Sequence, residues 1–289
     1  MRLGSASSRA AAALVLALAG GCAPEPPVPS ARMCGEGGSE QAGIIRYLNF
    51  AGGEMGQTLG FDLDERVGPD TETNCRARDW MDAEGRVGID NQATLLIPVV
   101  EEQVGEGTIE MLLNGAINSG QLLLAITLEG LDDLENDDCV AIAIRPLRGP
   151  VLVGTDGLLL AGQTIDIDTE GPVSRYEGAV LRDGVLETGP FEARLPVSIL
   201  DAVFTIDFHD TRIRVRLHED GSMDGVIAGG IGLDQIGEIA SGLNIPSDLM
   251  GMVATFGALI ADLAPNEEGR CTQFSSSIEF RATYGFVNR

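Results

Sequence analysis

The stretch AVFTIDFHDTRIRVRLHEDGSMDGVIAGGI, residues 202–231, alternates apolar and polar residues with a period of two. Such alternation is typical of antiparallel strands that bury one face. The pair Asp220-Gly221 stands between the two alternating halves, and both residue types tolerate the positive φ of a tight turn. The stretch therefore predicts a β-hairpin.

The same period recurs from residue 121 to the C-terminus. The clearest runs are QLLLAITLEGL at 121–131, DCVAIAIRP at 138–146, YEGAVLRDGVLE at 176–187 and SSSIEFRATYGFV at 275–287. Two further Asp-Gly pairs, Asp156-Gly157 and Asp183-Gly184, fall between alternating runs. Residues 121–289 are therefore predicted to form a mainly β domain, an antiparallel sandwich or barrel of about seven to nine strands.

Residues 233–263 interrupt this pattern and are predicted to be a helical insertion. Its apolar residues recur at steps of four and three, which lines one face of a helix; they are Leu249, Val253, Phe256, Ile260 and Leu263. We expect this face to cover an open end or face of the sheet. The alternative is an apolar ligand cavity between the sheet and the insertion, lined by Met250 and Met252.

Residues 44–120 are predicted to form a small N-terminal region. IIRYLNF, at 44–50, is typical of a short strand, and an acidic loop follows it. The segments NQATLLIPVVEEQ, at 91–103, and TIEMLLNGAINSG, at 108–120, predict two short helices, the first interrupted at Pro98.

The N-terminus has the pattern of an export signal. Arg2 and Arg9 precede the small and apolar run AAAALVLALAGG, which ends at Cys22. A run of about a dozen residues is too short for a permanent membrane helix, which needs roughly 20. Residues 1–21 are therefore predicted to be a signal peptide.

The residues around the cleavage point resemble the lipobox of bacterial lipoproteins. Small residues at 19–21 precede Cys22, although Leu18 stands one place further from the cysteine than in the family. The resemblance implies lipidation of Cys22, with residues 22–43 as a flexible, lipid-anchored linker. Ala23 resembles lipoproteins sent to the outer membrane of Gram-negative cells. An ordinary secretory signal is the alternative.

Four cysteines remain beyond Cys22, namely Cys34, Cys75, Cys139 and Cys271. An even number in an exported chain predicts two disulfides, and three connectivities are open. Pairing by neighbourhood would join Cys34 to Cys75 and Cys139 to Cys271. Zinc is disfavoured because no two of the cysteines form a C-x-x-C half-site.

The chain is strongly acidic. Its formal charge of −25 becomes −27 when Arg2 and Arg9 leave with the signal peptide. Nucleic acid and anionic membrane surfaces would repel such a protein. Divalent cations and basic partners remain compatible with this charge, and the membrane itself is expected as a partner only through the lipid anchor.

The segment of residues 61–92 concentrates acids and is the candidate metal site. It does not match an EF-hand loop, but Gly85 and Gly88 could let an irregular loop wrap a calcium ion. The candidate ligands are Asp62, Asp64, Asp82, Glu84, Asp90 and Asn91. The alternative is solvated charge, with Asp90 or Asn91 capping the helix predicted from Gln92.

The strand TRIRVRL carries Arg212, Arg214 and Arg216 on one face. Three guanidinium groups in a row are a candidate anion-binding site. The alternative is cross-strand ion pairing on a wet face, where Thr205 and Asp207 of the preceding run would lie.

The sequence contains no recognisable catalytic constellation: it has no G-x-S-x-G elbow, no HExxH motif and no lysine for a phosphate loop. The sequence therefore favours a non-enzymatic binding or structural role at the cell envelope, with calcium as a candidate ion. Two alternatives are an apolar-ligand carrier and a calcium-dependent hydrolase acting on polysaccharide or peptide.

Overall fold

The computed structural model describes residues 34–288 apart from 36, 54, 69–74, 76, 200–201 and 243–246. This part of the chain is mainly β. Its elements are β1 (Ser39–Phe50), β2 (Trp80–Met81), β3 (Val87–Ile89), α1 (Ala93–Val104), α2 (Thr108–Asn118), β4 (Leu124–Leu131), β5 (Asp137–Arg148), β6 (Thr164–Ile167), β7 (Ser174–Arg182), β8 (Val185–Glu187), β9 (Phe191–Ile199), β10 (Ala202–Leu217), β11 (Met223–Gly232), α3 (Leu233–Gly242), α4 (Ser247–Ile260), β12 (Leu263–Pro265) and β13 (Cys271–Asn288).

Eight of the strands pair into a closed ring. The antiparallel pairings run β1–β4–β5–β7–β8–β10–β11–β13 and return from β13 to β1. Strands β9 and β12 add to β10 and β13, and β6 bridges β5 and β13, pairing parallel with the latter. The predicted antiparallel β fold is confirmed, and its ring of pairings is that of a barrel.

The interior of the ring is filled by apolar side chains. Strand alternation and register place them on one common face, and each is at most 1% exposed. They include Ile45, Ile126, Ile142, Leu186, Ile213, Val215, Ile227 and Phe280. A barrel of eight strands has an interior just wide enough for side chains or one small ligand. Here the side chains take that space.

The Asp-Gly pairs lie at chain reversals, as expected. Asp183 and Gly184 have φ values of 50° and 73° and join β7 to β8 directly after the register pair Arg182–Val185. Glycine tolerates this left-handed conformation because it has no Cβ. The turn that contains Asp220-Gly221 joins β10 to β11, so the quoted hairpin is confirmed.

The helices pack into the same core as the barrel interior. The insertion contributes Ile236 from α3 and Val253 and Ile260 from α4, all buried. Helix α2 lies against β1, where the Asn114 side chain accepts from the Leu48 N–H at 3.1 Å and donates to the Leu48 carbonyl at 2.9 Å. This side chain thus satisfies both backbone groups of Leu48. Within the described residues, no helix has the length and apolar character needed to cross a membrane.

The predicted domain boundaries are wrong at two places. Strand β1 begins at Ser39, inside the range 22–43 expected to be a linker. It lies between β4 and β13 in the ring, so the region 44–120 is not separate from the domain 121–289.

Helix α1 is continuous through Pro98, where an interruption was predicted. Packing of α1 against α4 and β13 outweighs the local cost of this proline.

Two disulfides form, as predicted, but the neighbourhood pairing is wrong. Cys34 bonds to Cys139, and Cys75 bonds to Cys271. The barrel explains the pairing of Cys34 with Cys139 of β5, because the chain before β1 lies beside Gly130 at the end of β4 and beside Ala141 of β5. For this pair, proximity in the sheet decides the partner rather than proximity in the sequence. Two disulfides indicate an oxidising, exported location.

Candidate acidic site on the outside of the barrel

Three of the predicted ligands meet at one point outside the barrel. Asp62, Asp64 and Asp90 each offer a carboxylate oxygen, and these oxygens lie within 4.8 Å of one another. An isolated antiparallel bridge between Phe61 and Asp90 brings the two segments together. Phe61 is held because its ring packs on Val226 and other apolar residues of the outer face.

Backbone N–H groups of the acidic loop after Phe61 donate hydrogen bonds to the three carboxylates of the cluster. The Asp90 carboxylate accepts from Leu63 N at 2.7 Å and Asp64 N at 3.2 Å. The N–H of Arg66 lies 3.0 Å from oxygens of both Asp62 and Asp64. These bonds fix the direction in which the three carboxylates point.

Gly88 makes room for this arrangement. It adopts a φ of 81°, and a Cβ at this position would lie 3.0 Å from an oxygen of Asp62. A larger residue would therefore be strained and would crowd the carboxylate.

Two acids at this site are almost completely buried. Asp90 is 3% exposed, and burial, with the neighbouring charge of Asp262, raises its pKa to about 8. Asp262 is 1% exposed, and burial raises its pKa to about 7, although Ser275 donates to it through N–H at 2.7 Å and Oγ at 2.5 Å. Burial also raises the pKa of Asp62 and of Asp64.

Neither Asp90 nor Asp262 forms an ion pair with an arginine or histidine of the described part of the chain. Burial penalises the charged form of a carboxylate that has no cationic partner, so protonation or a bound metal ion would stabilise it. Asp262 was missed by the sequence analysis. Its signal is an acid inside the otherwise apolar run ALIADLA, residues 258–264.

Asp82 and Glu84 are not part of this cluster, contrary to expectation. The buried Asp82 carboxylate bonds to the Arg86 guanidinium and accepts from Arg86 N at 2.8 Å. Burial alone would raise the pKa of Asp82, but the bonds from Arg86 hold it below its usual value. Glu84 is exposed and lies 3.5 Å from the same guanidinium. Both acids therefore have a cation already.

The Asn91 side chain bonds to other parts of the chain. Its completely buried amide donates to Ala51 O at 3.0 Å and to Thr58 Oγ1 at 2.8 Å, and accepts from Ser277 N at 3.2 Å. These bonds join the chain around the acidic loop to β13. The N-cap residue of helix α1 is Gln92, without a side-chain cap bond, so neither Asp90 nor Asn91 occupies the cap position that was expected of them.

The arginines of β10 lie on the outer face, and two are paired. Arg212 contacts Glu65 of the acidic loop at 3.2 Å, and Arg214 bonds to Glu187 across the strand pair. This agrees with ion pairing, but Asp207 is not the partner. It bonds to Arg194 of β9 at 2.9 Å, because the first half of β10, residues 202–208, pairs with β9.

A cleft of about 670 Å³ lies beside the helical insertion. Leu233, Ala258 and Leu259 line one side, and the polar turn 266–270 lines the other. Its lining is thus mixed, whereas a site for an apolar ligand is lined predominantly by hydrophobic side chains.

The two histidines pair with carboxylates rather than with a nucleophile. His209 Nδ1 lies 2.7 Å from Glu192, and His218 bonds to Asp224. Ser222, close to His218 in the turn, donates its hydroxyl to Asp220 at 2.6 Å. A hydrolase triad is therefore not assembled at these histidines.

The chemistry that the site favours is the binding of a hard cation, because three carboxylate oxygens converge and none of them forms an ion pair with an arginine of the described residues. Comparisons of the chain with protein-family models, curated proteins and solved structures find no match.

Proposed function

We propose that this protein is an exported lipoprotein of the cell envelope with a non-enzymatic binding or structural role, and that calcium stabilises its acidic loop. The observation that carries the calcium proposal is that the carboxylates of Asp62, Asp64 and Asp90 converge, while burial keeps water away from the carboxylate of Asp90. Calcium accepts six to eight oxygen ligands in flexible geometry. These three carboxylates would hold the ion, with backbone carbonyls and water completing its shell.

The ion would act on the fold rather than on a reaction. Asp62 and Asp64 belong to the loop after Phe61, whereas Asp90 precedes helix α1. A cation shared between them would tie the loop to the helical end of the barrel. It would also remove the cost of a buried, unpaired carboxylate.

Calcium is expected to raise the melting temperature of the disulfide-intact protein by several degrees relative to chelator. A ligand at a hundred times its Kd adds about 2.7 kcal/mol to the free energy of unfolding. The double substitution Asp62→Asn with Asp64→Asn should abolish this difference, because it removes two of three carboxylates. Differential scanning calorimetry with and without calcium measures the effect.

The matched control removes two negative charges elsewhere, by Glu84→Gln with Glu102→Gln. Both side chains are exposed, and neither belongs to the cluster. The control should keep the full calcium response. Coincident melting curves of the parent protein in calcium and in chelator would show that the cluster binds no calcium.

The lipid anchor rests on Arg2, Arg9 and the apolar run that ends at Cys22, all outside the described residues. The two disulfides support export through an oxidising compartment. Ala23 supports the outer membrane of a Gram-negative cell as the destination. The net charge of −27 supports contact through the lipid rather than through the acidic surface.

Cys22→Ala should release the protein from the membrane or leave it unprocessed, because the acceptor of the lipid is gone. Detergent-phase partitioning of the expressed protein measures this, and the parent protein should enter the detergent phase. Cys34→Ala with Cys139→Ala is the control, since it removes cysteines without touching the anchor. Equal partitioning of parent and Cys22→Ala would refute lipidation at this residue.

A further inference from the structure

The outer face of the barrel carries a cleft of about 580 Å³ that is separate from the acidic cluster. Side chains from four neighbouring strands of the ring form its base, in two rows that run across the strands. One row of side chains crosses β13, β11 and β10 as Arg281, Asp224 and Arg216. The neighbouring row crosses them and β8 as Glu279, Val226, Arg214 and Glu187.

Positive and negative groups are balanced around this cleft. Four arginines and four carboxylates line it: Arg86, Arg214, Arg216, Arg281, Glu84, Glu187, Asp224 and Glu279. Glu187 accepts from Arg214 and lies 3.7 Å from Arg86, so several of the charges neutralise one another. The cleft therefore offers many donors and acceptors but little net charge.

Aromatic rings hold two of the arginines in place. The Arg281 guanidinium stacks on Tyr47 at 3.9 Å from the ring centroid, and the Arg214 guanidinium stacks on Phe61 at 4.5 Å. Stacking on an aromatic face restricts a guanidinium while its N–H groups stay available at the edge. The donors of the cleft are therefore preorganised.

Apolar side chains stand among the charged groups of the cleft. Val226 is buried at its base, and Leu59, which is 39% exposed, forms part of the side. Glu279 lies half-buried beside Val226, and burial raises its pKa. The cleft thus combines a small apolar surface with convergent polar groups, in a volume typical of ligand sites.

We propose that this cleft binds a neutral, hydroxyl-rich ligand, namely an oligosaccharide. A hydroxyl group both donates and accepts, so it can bridge neighbouring guanidinium and carboxylate groups without separating them. An anionic ligand would be repelled by the four carboxylates of the lining and a cationic ligand by its four arginines, so neither gains a net charge attraction. The proposal names a ligand class for the binding role, and it uses none of the carboxylates of the calcium cluster.

Maltohexaose, cellohexaose and N-acetylated chitohexaose are the neutral probes, titrated into the exported full-length protein by isothermal calorimetry. Binding of at least one of them is expected. Arg281→Ala and Arg216→Ala should each weaken it at least about tenfold, since each removes a charged hydrogen-bond donor. Arg182→Ala is the matched control, because this exposed arginine pairs with Asp138 away from the cleft. It should leave the affinity unchanged.

Hexaaspartate and hexalysine test the requirement for a neutral ligand. Absence of binding by all three oligosaccharides, or tighter binding of either charged peptide, overturns the proposal. Equal losses in Arg182→Ala and Arg281→Ala overturn it as well. The Asp62→Asn, Asp64→Asn variant should still bind the oligosaccharide, and therefore a failure of the calcium proposal would be seen separately.

Discussion

Replacement of Cys75 and Cys271 together by serine is expected to lower the free energy of unfolding by roughly 5 kcal/mol. The disulfide joins residues separated by 196 positions, and a cross-link over so long a loop removes much of the entropy of the unfolded chain. In the folded protein it ties the region of the acidic loop to the first residue of β13, a strand that pairs with both β1 and β11.

Urea unfolding of the oxidised parent and the double variant, followed by circular dichroism, measures this loss. The second disulfide is an internal comparison. Cys34→Ser with Cys139→Ser opens a loop of 105 positions, and its expected cost is smaller by less than about 1 kcal/mol, because the entropy grows only with the logarithm of loop length. An unchanged midpoint for the Cys75 and Cys271 variant would contradict the stabilisation expected from this disulfide.

The alternating strands could be predicted from the sequence because each carries its own signal. In β10, Ile213 and Val215 point into the barrel while Arg212 and Arg214 point out, and this contrast is visible residue by residue. The turn at Asp183-Gly184 was equally local, since few residues adopt its dihedral angles.

Strand β1 could not be predicted in full because its first residues lack this contrast. SEQAG, residues 39–43, contains only small and polar residues, yet it pairs with β4 on one side and β13 on the other. Ile44 and Ile45 that follow are both completely buried. A strand covered on both faces has no alternation to read, and thus closure of the ring was not visible in the sequence.

The candidate site was predicted only in part, because nearness in sequence does not show which acids lie close together in the fold. Nearness in sequence grouped Asp82 and Glu84 with Asp90, but the Arg86 guanidinium lies beside both of them and takes them out of the cluster. The bridge from Phe61 to Asp90 brings Asp62 and Asp64 together instead. Asp262 comes from the end of the insertion, and only the fold shows that it lies close enough to raise the pKa of Asp90.

In chelator, the free energy of unfolding is expected to fall as the pH rises from about 5 to 8. The pKa of Asp90 is raised to about 8 in the folded protein, whereas an unfolded aspartate titrates near 3.9. The folded state therefore binds more protons across this window, and stability decreases as the proton is lost. Asp262, whose pKa is raised to about 7, acts in the same direction.

The size of the effect follows from the shift. Each pKa unit corresponds to about 1.4 kcal/mol, so the Asp90 contribution reaches roughly 6 kcal/mol between the unfolded and folded pKa values. It is fully present below about pH 4 and is lost as the pH passes through about 8. Urea midpoints in chelator at intervals from pH 5 to pH 8.5 measure it.

Asp90→Asn should reduce this pH dependence in chelator to the contribution of Asp262 and make the protein more stable than the parent at pH 8. The amide oxygen can still accept from Leu63 and Asp64 N–H, and a neutral side chain loses no proton. Glu84→Gln, an exposed change nearby, should keep the steep dependence of the parent. With saturating calcium the parent should regain stability at pH 8, because the cation stabilises the ionised carboxylates, whereas Asp90→Asn should gain much less. If the stability of the parent protein in chelator does not change with pH, Asp90 does not have the raised pKa of a buried carboxyl group that lacks a cationic partner.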